Sequence, residues 1–108
     1  MKATSDLPPG DTHDKIVAIR ALVARMFNLS EEQMSNARRE RAVTVPRQIA
    51  IYLSKHETDA TLTEIGNLFG GKHHSTVMHA IARIAELRRS DSATNLAIEI
   101  LLKSLHSS

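Results

Sequence analysis

The sequence predicts an all-α fold of about six helices. Three observations carry that prediction. Apolar residues make up 42% of the 108-residue chain but aromatics only 3%. Aliphatic side chains must therefore fill the core, and one rich in Ala, Ile and Leu suits helices packed on helices. The apolar positions recur at three- and four-residue spacing behind residues that cap helices. No stretch alternates apolar and polar residues over the length of a strand. The length suits one domain with a single core.

Each element has its own signal. Residues 1–10 contain Pro8, Pro9 and Gly10 with few apolar groups, and read as a flexible leader to a domain over 11–108. Asp11 or Thr12 can cap a first helix, whose core stripe is Ile16, Ile19, Val23 and Met26 or Phe27. Ser30 and Gln33 form a candidate capping box for a short second helix running towards Asn36. Pro46 suits the first turn of a third helix, after a loop through Arg38 to Arg41. That helix turns Ile49, Ala50 and Leu53 inward and ends near His56 or Glu57. Thr61 and Glu64 form a second capping box, opening a helix with Leu62, Ile65 and Phe69 on one face. Gly70 or Gly71 can supply the left-handed conformation that stops it. A fifth helix starts near His74 or Ser75 and runs to about Arg89; Ser90 or Asp91 caps a sixth that ends near Leu105.

Several function classes are disfavoured. The chain has no cysteine, which removes disulfides and cysteine-based zinc sites and fits a reducing cytoplasm. No apolar run approaches the roughly 20 residues that span a bilayer, and Met1 to Gly10 has no signal-peptide core. A cytoplasmic protein with no membrane partner is expected. His73, His74 and His79 cluster in sequence, but the five-residue step from His74 to His79 fits one helix face poorly, and no metal is expected. No paired carboxylates or activated nucleophile stand at useful spacing, so the chain is not expected to be an enzyme. Gly70-Gly71-Lys72 lacks the spacing and following hydroxyl residue of a phosphate-binding loop, so no nucleotide or other cofactor is expected.

The net charge of +2, from 14 basic and 12 acidic residues, does not by itself suggest nucleic acid. Its distribution does: Arg38, Arg39, Arg41 and Arg47 face only Glu40 between positions 38 and 47. Such a cluster can attract phosphates, or it can be a solvated turn. Residues 61–89 read as a helix-turn-helix, two helices joined through a glycine pair. Val77, Ala80, Ile81 and Ile84 take the inner face of the second helix, and Thr76, His79, Arg83 and Glu86 an outer one. Side chains in the first turns of such a helix reach base edges in a major groove. Ser75 and Thr76 can hydrogen-bond there, and Lys72 stands beside the helix start. The plainer alternative is that Ser75 caps a surface helix beside solvated histidines.

Three strings decide between these readings. They are Pro46-Arg47-Gln48-Ile49-Ala50-Ile51-Tyr52-Leu53, then Thr61-Leu62-Thr63-Glu64-Ile65-Gly66, then Phe69-Gly70-Gly71-Lys72-His73-His74-Ser75-Thr76-Val77-Met78-His79-Ala80. In words, order and gaps, the stretch from Val45 to Leu87 resembles the C-terminal DNA-binding domain of the bacterial replication initiator DnaA. Weaker similarity continues to about Asp14 and Leu105. The resemblance implies a Trp-repressor-like helical domain that binds DnaA boxes, the short A·T-rich sites of replication origins, in double-stranded DNA. It implies that Arg39, from the basic loop beside Arg41, enters the minor groove. It places Arg47, Lys55 and Lys72 near phosphates, and His74, Ser75 and Thr76 at bases in the major groove; His79 shares the outer face with Thr76 by its spacing. It sets Thr63 where the family usually has a proline or another small residue near the backbone.

His73 departs from that pattern, because the family commonly has aspartate there. An aspartate accepts from a cytosine amino group, whereas a histidine can donate to guanine or approach a phosphate. If His73 or His74 lies near phosphate, binding strengthens as pH falls from 8 towards 6. The ATPase module of an initiator is missing, so the chain is expected to be an excised domain or a small stand-alone relative. A second expectation concerns proteins. Residues 96–102, Leu-Ala-Ile-Glu-Ile-Leu-Leu, are apolar on more than one helix face. They either close the bundle or offer a surface to replication-initiation proteins.

Overall fold

The computed structural model describes residues 10–35 and 41–107. Every regular element among them is a helix: α1 (Gly10–Met26), α2 (Glu31–Ser35), α3 (Arg41–Glu57), α4 (Leu62–Asn67), α5 (His74–Ser90) and α6 (Ser92–His106). The expected leader falls outside the described residues except for Gly10, which already begins α1. Asp11 and Thr12 therefore stand in the first turn of α1 rather than before it.

The caps explain where most helices begin and end. Ser30 and Gln33 make a reciprocal box, with Gln33 N–H donating to Ser30 Oγ at 3.0 Å and Ser30 N–H to Gln33 Oε1 at 2.9 Å. Thr61 and Glu64 do the same at 3.1 and 2.7 Å. α1 closes on Asn28, which takes a left-handed φ of 59°. Leu29 N–H reaches back to Ala24 O at 2.8 Å and Asn28 N–H to Arg25 O at 3.2 Å. This pairing satisfies carbonyls the helix would otherwise leave open, and asparagine tolerates the conformation better than most residues.

α3 corrects the expected position of Pro46. The helix begins at Arg41, so Pro46 lies inside it and Arg41 belongs to the helix, not to a loop. A proline at 46 removes the bond that its N–H would have made to Ala42 O and crowds that carbonyl with its ring, and Ala42 is exposed, where water can serve the carbonyl. The added turn is held because Val43 is fully buried. Apolar burial of this kind contributes about 1.5–3 kcal/mol, which offsets much of the roughly 3 kcal/mol that a proline costs inside a helix.

α3 runs through the middle, packed on α1 and α5, while α6 lies on α5 and α1. The core is aliphatic, as the composition requires: Ile16, Ile19 and Val23 from α1, Ile49 and Leu53 from α3, and Ile84 and Ile98 from α5 and α6 are at most 1% exposed. Phe69 is its buried aromatic residue. Of the alternatives at the end of the α1 stripe, Phe27 packs against this core and Met26 is exposed.

Candidate nucleic-acid interface

The α4–α5 unit is built around Gly66. Its carbonyl accepts from Lys72 N–H at 2.9 Å and from Phe69 N–H at 3.1 Å. A Cβ added at Gly66 would lie 2.1 Å from Lys72 O, so only glycine lets the turn pass so closely over the helix. Gly70 and Gly71 both take positive φ, 91° and 70°, and reverse the chain. Arg20 holds the turn from the other side. Its Nη1 donates to Leu68 O at 2.5 Å, its Nε to Glu31 at 2.9 Å, and its guanidinium lies 6.0 Å from the Phe69 ring centre.

α5 is capped by His73, not by Ser75. His73 takes an extended backbone, and its Nδ1 accepts from Ser75 N–H at 3.2 Å. The His74 ring lies 4.2 Å away, centre to centre. Behind this start the two faces divide as the spacing predicts. Val77, Ala80 and Ile84 are buried and Ile81 half-buried, while Thr76, His79, Arg83 and Glu86 are exposed. With 3.6 residues per turn, the midline opposite the buried face runs through Ser75, between Met78 and His79, and on to Ala82 and Glu86. Met78 is 52% exposed there. An offset count from Thr76 centres the face to one side and passes over Met78 and Ala82. Glu86 is ion-paired with Arg89 at 2.9 Å, so the far end of the face carries little net charge.

The turn and the first turns of α5 thus bring Lys72, His73, His74, Ser75, Thr76 and His79 together. All are exposed except Lys72, which is half-buried. Thr63 is exposed in the first turn of α4. Lys55 spans from the last turn of α3 to the loop entering α4, where Nζ donates to Ala60 O at 3.1 Å. Arg47 is 5% exposed, and its Nη2 donates to Gln33 O at 2.7 Å, tying α3 to α2. Arg39 lies outside the described residues. Among the described residues no three ligating side chains converge as a metal site, and no helix is long and apolar enough to cross a membrane.

A short capped helix, a glycine-reversed turn and a longer helix with a polar outer start define a helix-turn-helix domain. The family model "Bacterial dnaA protein helix-turn-helix" matches residues 16–84. The chain belongs to this family. It is 42% identical over 87 residues to the chromosomal replication initiator protein DnaA of Rhizobium johnstonii, covering 81% of this chain and 18% of that protein. It is 43% identical over 96 residues to DnaA of Gluconobacter oxydans, covering 86% and 20%. With DnaA of Brucella abortus the identity is 45% over 87 residues, covering 81% and 18%. The chain spans about a fifth of the length of these relatives.

Proposed function

We propose that this chain binds double-stranded DNA with a preference for DnaA-box-like sites, and acts in the initiation of chromosome replication or its control in the bacterial cytoplasm. The observation that carries the proposal is the exposed, polar first turn of α5, held at a fixed distance from α4 by the glycine contact at Gly66. α5 enters the major groove, where His74, Ser75, Thr76 and His79 face base edges. Arg39, with Arg41 beside it, serves the minor groove. Lys55 and Lys72 supply phosphate contacts, and Thr63 approaches the backbone at the first turn of α4.

Dimethyl sulfate protection on a box-containing duplex tests both grooves in one experiment. The reagent methylates guanine N7 in the major groove and adenine N3 in the minor groove. The expected result is protection of both kinds within one site. Protection of neither, or of one groove alone, contradicts the proposal.

A second reading is favoured by one observation. Leu96 and Ile100 are 61% and 46% exposed, one helical turn apart on the outer side of α6. Ile98 and Leu101 on the same helix are buried and close the bundle. The outer pair gives a regulator that contacts replication-initiation proteins a place to do so. Loss of a regulatory effect in Leu96→Ser/Ile100→Ser, with duplex binding intact, separates that reading from the first.

A further inference from the structure

The N-cap of α5 fixes which ring nitrogen of a histidine accepts a hydrogen bond. A backbone N–H can only donate, and Ser75 N–H donates to His73 Nδ1 at 3.2 Å. An imidazole nitrogen that accepts carries no proton, so the proton of the neutral ring sits on Nε2. Ser75 Oγ lies 2.9 Å from the same Nδ1. Its hydroxyl therefore donates to the ring as well and keeps its lone pairs free to accept. The His74 ring, 4.2 Å away and tilted by 35°, packs beside the His73 ring and restrains it. Both His73 and Ser75 are exposed.

We infer that His73 is a specificity-determining residue that presents Nε2–H as a donor, and that this chain selects guanine where a capping carboxylate would select cytosine. This rests on the DNA-binding reading of α5 given above. Guanine offers two acceptors, N7 and O6, on its major-groove edge, and cytosine offers the N4 amino donor. An Nε2–H meets the first and is repelled by the second. Ser75 sets the complementary half of the pattern, because its remaining lone pairs accept from an adenine or cytosine amino group. The cap thus does two things: it closes the helix end and fixes which way the histidine's hydrogen-bonding polarity points.

Two measurements test the inference. Long-range nitrogen–proton NMR correlation of the imidazole rings in the intact chain, assigned with His73→Ala, reads the tautomer directly. The expected signature is an unprotonated Nδ1 and a protonated Nε2, and a protonated Nδ1 in the neutral ring overturns the inference. Binding is then measured against a set of duplexes with each base pair of the site varied in turn, for the unmodified chain and for His73→Asp. Aspartate also caps helices well but can only accept. The unmodified chain is expected to prefer guanine over cytosine at one position by about tenfold. His73→Asp is expected to reverse that preference at the same position and keep the others. Unchanged preferences at every position overturn the inference while leaving recognition by α5 intact. Equal binding to every duplex by the unmodified chain overturns the DNA-reading proposal itself, and this inference with it.

Discussion

Glu57, at the end of α3, receives two histidines. His106 Nε2, from the end of α6, lies 2.7 Å from Oε1, and His56 Nδ1 lies 2.8 Å from Oε2. Burial works against the carboxylate's charge. The hydrogen bonds from His106 and His56, joined by the charge of those rings, outweigh burial and hold the carboxyl below its ordinary 4.5. A depressed folded value stabilises the fold above the unfolded pKa, and the gain is lost as pH falls through the folded one. Glu57→Gln should therefore lower the melting temperature at pH 7, and the gap from the unmodified chain should close below about pH 4. A gap that is constant with pH contradicts this account. Arg39 and Lys72 should behave differently from each other in DNA binding. Arg39→Ala is expected to cost about 1–3 kcal/mol and to weaken sequence discrimination. Lys72→Ala should lower affinity evenly across sequences, as parallel titrations would show. Arg47 is legible in the sequence as a cation, but the α2 carbonyl it donates to is fourteen residues away in the chain.

The helices themselves were largely legible, because their caps are local. The Ser30–Gln33 and Thr61–Glu64 boxes each close over four residues and need no tertiary partner. Boundaries set by distant packing were not legible. The first turn of α3 survives ahead of Pro46 through burial of Val43, and spacing around a proline does not announce that. The ending of α1 at Asn28 and the capping by His73 were also missed, since both use residues that are second choices for their roles. Gly66 ends the Thr61–Gly66 string, but its role emerges only when Lys72 O is placed against it. Gly66→Ala should destabilise the fold by about 1–3 kcal/mol or more, because the clash is with backbone that cannot rotate away. Gly71→Ala meets nothing within 4 Å and should cost only the left-handed conformation, about 1–2 kcal/mol. Urea unfolding of the two variants ranks them, and a larger loss for Gly71→Ala would contradict the close-approach argument.

Over the whole molecule, α6 is coupled to the rest through Arg88. Its Nε donates to Asn95 Oδ1 at 2.9 Å, its Nη1 to Tyr52 OH at 3.2 Å, and its Nη2 pairs with Glu99. One side chain thus joins α3, α5 and α6. Arg88→Ala should cost about 1–3 kcal/mol in urea unfolding, and Arg88→Lys should not restore it, since a point cation cannot serve three directions. Neither the net charge nor the periodicity foretold this link, because its partners are brought together only by packing. At this scale the proposed function requires that the chain read DNA sequence and not merely adhere to phosphate. If about four to six phosphates are contacted, affinity should fall with a log–log salt slope of about −4 to −5. The direct test is fluorescence anisotropy at about 150 mM salt, a condition that suppresses purely electrostatic binding, with a DnaA-box duplex and a scrambled duplex of the same composition. The box is expected to be preferred by tenfold or more, about 1.4 kcal/mol. Equal affinity for the two duplexes would contradict it.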